Sequence, residues 1–162
     1  KGLPAGRAFV WIDRFLDTAQ SGPMHLRMES VARVVFDALH RGEELGSYEL
    51  GPFVIMANHI HLLLLPKIEV PKLMKSLKGF TAREANRILG RTGEPFWQSE
   101  SYDHYVRNSA EFEKIRRYIE TNPVKAGMAP SAGEYRWSSA WNAKKNAGIT
   151  TGGQSTAIPL PA

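Results

Sequence analysis

Four leucines in a row, Leu62, Leu63, Leu64 and Leu65, follow two histidines that flank a single isoleucine, His59-Ile60-His61. Side chains of a strand alternate between its two faces. A strand that is apolar at every position must therefore be covered on both sides, so it belongs inside a sheet with layers above and below. The same alternation sends His59 and His61 to one face. Two imidazoles side by side on a rigid element are half of a divalent-metal site, and equally they can be a hydrogen-bonded polar pair in a core. The pair alone leaves both readings open.

The neighbouring segments extend the pattern. Residues 48–56 read as a strand in which Pro52 marks an edge or a bulge. Ala57-Asn58 reads as a tight turn into a second strand over 59–65, giving an antiparallel hairpin. Val31, Val34, Val35, Ala38 and Leu39 recur at helical spacing over 29–41, with Gly42 as the stop. Residues 72–90 read as a helix in two pieces around Gly79, restarted by the capping box Thr81-Ala82-Arg83-Glu84. Residues 101–106 alternate as a third strand. Asn108, with Glu111 three residues on, caps a helix expected to end near Asn122-Pro123, because a residue before proline is pushed away from helical angles. A short helix is expected over 8–18. The order is helix, strand, strand, helix, strand, helix. One strand in front would complete an α+β fold, a ferredoxin-like βαββαβ sandwich with an antiparallel sheet and an extra C-terminal helix. One domain over 1–141 is expected, followed by a flexible, Gly-, Ala- and Thr-rich tail over 142–162.

The chain of 162 residues has no cysteine, which excludes disulfides and thiolate metal sites. No apolar run approaches the roughly 20 residues of a membrane span, so no membrane partner and a cytoplasmic location are expected. The net charge of +5 says little, but its distribution says more. Between Lys67 and Arg91 there are seven bases (Lys67, Lys72, Lys75, Lys78, Arg83, Arg87 and Arg91) against two acids, Glu69 and Glu84. Beside a metal site such a block suggests a polyanion, nucleic acid first, while by itself it is also the solvated face of a helix.

A second constellation lies in the last helix, Arg116-Arg117-Tyr118-Ile119-Glu120-Thr121-Asn122-Pro123. Tyr118 and Asn122 are four apart and project from one helical face. A phenol is mostly protonated at neutral pH, so it attacks phosphorus well only when a metal polarises that centre. The Asn122 carbonyl oxygen would add a third ligand to two imidazoles, a set that Mg2+ or Mn2+ accepts, with water or phosphate oxygens completing it. Equally, Tyr118 reads as a packing residue and Asn before Pro as a helix end.

From Phe9 to Trp141 the chain resembles the REP-associated tyrosine transposases, a branch of the single-tyrosine HUH transposases. The resemblance rests on motifs in fixed order. They are Val54-Ile55-Met56-Ala57-Asn58-His59-Ile60-His61, Leu77-Lys78-Gly79-Phe80-Thr81-Ala82-Arg83, Phe96-Trp97-Gln98-Ser99-Glu100-Ser101-Tyr102-Asp103-His104, Tyr118-Ile119-Glu120-Thr121-Asn122-Pro123-Val124-Lys125-Ala126-Gly127 and Tyr135-Arg136-Trp137-Ser138-Ser139-Ala140. It implies that His59 and His61 hold a divalent ion, Mg2+ or Mn2+, and that Tyr118 is the nucleophile. Relatives carry a metal-binding glutamine four residues after the tyrosine, and Asn122 occupies that place. The family acts on single-stranded DNA near imperfect hairpins and uses no ATP. The chain departs from the pattern at Ala57, where many relatives have proline. It departs again at Lys1-Gly2-Leu3-Pro4, which stands where the family's first strand has already passed, so that strand is expected to be missing or trimmed.

The resulting expectation is a metal-dependent single-strand endonuclease and strand transferase working through a 5′-phosphotyrosine link. Its catalytic residues are Tyr118, His59 and His61, with His59, His61 and Asn122 as metal ligands. Lys75, Lys78, Arg83, Arg87 and Lys125 are expected on phosphates. Trp97, Tyr102 and Tyr105 read either as stacking platforms for unpaired bases or as core. His104 reads as structural. A monomer is favoured over a homodimer. The rival readings are a catalytically silent binder of DNA hairpins and a metal phosphodiesterase that uses activated water.

Overall fold

The leucine run lies where its two-sided apolarity demands. The computed structural model describes residues 7–13, 22–98 and 101–142. Its elements are β1 (Phe9–Asp13), α1 (Glu29–Glu44), β2 (Tyr48–Ile55), β3 (Ile60–Pro66), α2 (Val70–Leu89), β4 (Ser101–Tyr105) and α3 (Ser109–Lys125). The four strands form one sheet in the order β2-β3-β1-β4, every neighbour antiparallel. This is the ferredoxin-like arrangement, with α3 as the extra helix.

The register assigns the faces. Trp11 is paired with Leu62, and Leu62 with Phe53, so these three share a face. Phe53 meets Phe36 of α1 edge-on, and Trp11 lies under Lys78 of α2. The helices α1 and α2 therefore cover that face. Val10 is paired with Leu63 and with His104, on the other face, where His104 meets Glu111 of α3. Leu62, Leu63 and Leu64 are fully buried between the layers, and each such side chain is worth about 1.5–3 kcal/mol in area removed from water.

Four expectations are corrected. The helix expected over 8–18 is instead strand β1 at Phe9–Asp13, residues 14–18 lying outside the described ones. Phe9-Val10-Trp11-Ile12 is rich in β-favouring types, and a short continuous apolar run does not separate strand from helix by period. The first strand, expected missing, is this same β1, and it runs at the centre of the sheet between β3 and β4. The helix expected in two pieces is one helix of 20 residues, α2. Thr81 does not cap a restart, because its hydroxyl donates back to the Leu77 carbonyl at 2.7 Å within the continuing helix. Finally, α3 does not end at Pro123 but carries it buried in its last turn. The helix closes one turn later, at Gly127 with φ 69°, where Gly127 N–H donates to Val124 and Met128 N–H to Pro123. That Schellman closure gathers the last carbonyls after the proline.

Pro52 lies on an edge strand, within a register irregularity between Leu50 and Phe53. The free side of β2 is covered by the Tyr135-Arg136-Trp137-Ser138-Ser139 segment. Ile55 N–H donates to Trp137, Ser139 N–H donates to Phe53, and the buried Tyr135 hydroxyl donates to Ile55 at 2.8 Å. An exposed edge would invite pairing with another chain, and this segment closes it. The tail over 143–162 lies outside the described residues.

Candidate active site

His61 is the second residue of β3, in register with Ile12 of β1 and Val54 of β2, on the face that α3 covers. It is 2% exposed. His59 stands one residue before β3, at the end of the hairpin turn. Met56 N–H donates to the His59 carbonyl at 2.8 Å and closes the turn around Ala57 and Asn58. Asn58 Oδ1 lies 2.7 Å from His59 Nδ1. A carbonyl oxygen only accepts, so this partner assigns the proton to Nδ1 and leaves the Nε2 lone pair of neutral His59 facing inward.

The two Nε2 atoms are 3.0 Å apart, with the rings crossed at 88°. Two ligands about 2.1 Å from one octahedral ion at right angles are about 3.0 Å apart, so the pair fits adjacent positions around a Mg2+-sized ion. The Asn122 side-chain amide is 3.4 Å from His61 Nε2. Its nitrogen faces the imidazole, and a half-turn of the amide presents the oxygen instead. Among the described residues no group of three or more His, Asp and Glu side chains converges, so the donor set on hand is two imidazoles and one amide. It leaves room for the water and phosphate oxygens that a hard ion keeps.

Tyr118 stands edge-on to His61, ring centroids 5.3 Å apart and planes at 90°. Lys125 Nζ lies 5.3 Å from the centre of the Tyr118 ring. Three things hold α3 in this place. Phe112, Ile119 and Pro123 bury one side of it. Asn108 accepts from Glu111 N–H at 2.9 Å and caps its start. Glu111 Oε1 meets His104 of β4 at 3.2 Å, while its other oxygen accepts from Arg107 N–H at 2.7 Å. The Arg107 N–H, and after it His104, holds the Glu111 carboxyl below its ordinary pKa. The late helix end matters here, because it keeps Asn122 one full turn after Tyr118, on the side facing His61.

The structure thus gathers His59, His61, Tyr118, Asn122 and Lys125. It does not gather the remaining candidates with them. Lys75, Lys78, Arg83 and Arg87 belong to α2, on the opposite face of the sheet. Arg83 and Arg87 share Glu84 at 3.2 and 3.1 Å. Lys78 Nζ donates to the Gln98 carbonyl at 3.1 Å and lies over the Trp11 ring. Lys75 is exposed. Trp97 donates from Nε1 to the Thr81 hydroxyl at 2.8 Å and packs edge-on against Trp11 and Phe96. It also lines, with Asn58, His25 and Phe96, a narrow recess beside the turn. The Tyr105 ring is 52% exposed and meets Phe9 edge-on. The Tyr102 side chain lies outside the described ones.

Two contributors escaped the sequence reading. Asn58 appeared there only as a turn former, although its place directly before His59 was the available signal. The Tyr135 to Ser139 segment was noticed as a motif without a role, and its role is to seal the edge of β2.

The family model for IS200-like transposases matches residues 26–122. The fold is similar to that of a REP-associated tyrosine transposase solved bound to a REP hairpin, with a TM-score of 0.60 and 16% identity, covering 100% of this chain and 89% of that one. A protein from Deinococcus radiodurans, described as a candidate transposase, matches with a TM-score of 0.48 and 22% identity, covering 75% of this chain and 95% of that one. No curated protein matches the chain.

Proposed function

The chain belongs to the IS200-like transposase family, whose members process DNA, and from that premise we propose a metal-dependent endonuclease and strand transferase for single-stranded DNA beside hairpins. Tyr118 is the nucleophile. Its phenolic oxygen bonds to the scissile phosphorus, the bond from phosphorus to the 3′ oxygen breaks, and the phenolic proton ends on that oxygen as a free 3′-hydroxyl. A 5′-phosphotyrosine remains. A second 3′-hydroxyl reverses the step and joins new ends, so no nucleotide cofactor is required.

His59, His61 and the oxygen of Asn122 would hold Mg2+ or Mn2+. The ion, when bound, supplies positive charge to the phosphate and offsets charge that develops during attack. Asn58 fixes the ring of His59. The helix α3, pinned at both ends, holds the Tyr118 ring against His61 and limits the directions from which it can attack. One chain carries both halves of the site, which favours a monomer as the working unit.

The observation that carries this reading is the approach of Tyr118 to His61, 5.3 Å between ring centres, across the packed layers of α3 and the sheet. The test is incubation with Mn2+ and a labelled single strand bearing a palindromic hairpin, followed by a denaturing gel. A slow, protease-sensitive adduct is expected with the natural protein and none with Tyr118→Phe. In that variant cleavage falls by roughly 10³-fold or more, while DNA binding is retained. Cleavage without an adduct would favour the water-using phosphodiesterase, and binding with neither would favour the silent binder.

A further inference from the structure

The cations that face the tyrosine's open side are not those of the basic block on α2. On a helical wheel Ile119, Phe112 and Pro123 mark the buried side of α3, and Asn122 leans from Tyr118 towards it. Lys114, Thr121 and Lys125 fall on the other flank of Tyr118, towards solvent, with Arg117 further out. Lys114 stands one turn before the tyrosine and Lys125 two turns after it. Lys114, Arg117 and Lys125 are exposed, and among the described residues none of them joins an ion pair. The contrast with Arg83 and Arg87, held by Glu84, and with Arg116, held by Glu113 and Glu120, is direct.

We infer that α3 is itself a phosphate track. Lys114 and Lys125 bind the DNA phosphates on either side of the one that Tyr118 attacks, and Arg117 adds charge at the outer rim. The inference rests on the tyrosine reading above and deepens it. A strand whose scissile phosphate sits between Tyr118 and the histidine pair must approach from the solvent flank of α3, because the other flank is buried. Along that flank lie two lysines that no carboxylate among the described residues holds, Lys114 before the tyrosine and Lys125 after it with its ammonium 5.3 Å from the centre of the Tyr118 ring, so a strand laid parallel to the helix meets one cation on each side. A lysine whose ammonium is free to give up water and counterions for a phosphate contributes fully to counterion release. An arginine already held by a carboxylate must first exchange partners.

The test measures binding of a labelled oligothymidylate across a salt series for the natural protein, Lys114→Met, Lys125→Met, the double variant and Arg41→Met. Arg41 lies on α1, across the sheet, and its loss changes the net charge equally. The plot of log affinity against log salt should lose about 0.7 in slope for each α3 lysine removed, and should match the natural protein for Arg41→Met. The hairpin-strand adduct assay is run beside it. An adduct with the natural protein, together with α3 variants whose slope matches that of Arg41→Met, overturns the phosphate track and leaves the tyrosine reading standing. Absence of both the adduct and salt-dependent binding in the natural protein overturns both.

Discussion

The Nε2 atoms of His59 and His61 lie 3.0 Å apart although only His61 belongs to a strand. His59 reaches its position through the hairpin turn and keeps its orientation through Asn58. Partners that orient a ligating histidine typically change metal affinity by about 10–100-fold when removed. Asn58→Ala is therefore expected to weaken Mn2+ binding by that factor, and His61→Ala to abolish it, read from the electron spin resonance signal of free Mn2+. Unchanged affinity in Asn58→Ala would show that the turn backbone alone orients His59.

The contact between Tyr118 and His61 lies within one chain. If the working unit is one chain, as proposed, each copy is expected to use its own tyrosine and its own histidine pair. Mixing Tyr118→Phe with His61→Ala should yield no covalent adduct at any ratio on the denaturing gel. Recovery of the adduct on mixing would require two copies to exchange α3, and would replace the monomer by a dimer with shared sites.

Much of this arrangement was legible because alternation is a strong signal. The run Leu62 to Leu65, entered through the turn signal Ala57-Asn58, read as a strand covered on both faces, and the two-residue step from His59 to His61 put both imidazoles on one side, although His59 itself lies one residue before β3. The four-residue step from Tyr118 to Asn122 gave one helix face. Strand β1 was not legible, since Phe9-Val10-Trp11-Ile12 is apolar without a period. The end of α3 was misread at Pro123, because the closure that lets the helix continue depends on Gly127, four residues further on. A basic run on a helix does not state which side of a sheet the helix will cover, so the distance of α2 from the tyrosine emerged only from the register. Lys114 and Arg117 drew no notice for the same reason: their value lies in where α3 packs.

Two helix glycines should respond to alanine with opposite signs. A Cβ on Gly42 would lie 2.3 Å from the Tyr48 hydroxyl and 2.6 Å from two ring carbons. That ring is buried and its hydroxyl donates to the Leu39 carbonyl at 2.7 Å, so it has little freedom to yield. Overpacking of this kind costs about 1–3 kcal/mol, against a helix gain of about 1 kcal/mol. Gly79 has nothing within 4 Å of an added Cβ, and alanine there should add about 0.5–1 kcal/mol. Thermal unfolding should show Gly42→Ala below the natural protein and Gly79→Ala above it. A rise for Gly42→Ala would mean that Tyr48 repacks freely.

Acid should loosen the attachment of α3. Glu111 has its pKa lowered first by the Arg107 N–H and then by His104, and Glu113 has its pKa lowered by Arg116. A carboxyl whose folded pKa lies below its unfolded value contributes stability that is fully present above the unfolded pKa of about 4.3. That contribution is lost as pH falls through the folded pKa, because the unfolded chain then binds the proton first. Urea midpoints of the natural protein should therefore fall on going from neutral pH to below about pH 4. Glu111→Gln keeps the acceptor for Arg107 but has no proton to bind, so its midpoint should be lower at neutral pH and fall less steeply in acid. If the two proteins lost stability in parallel, the clasp between Glu111, Arg107 and His104 would not be what fastens the start of the tyrosine helix to β4.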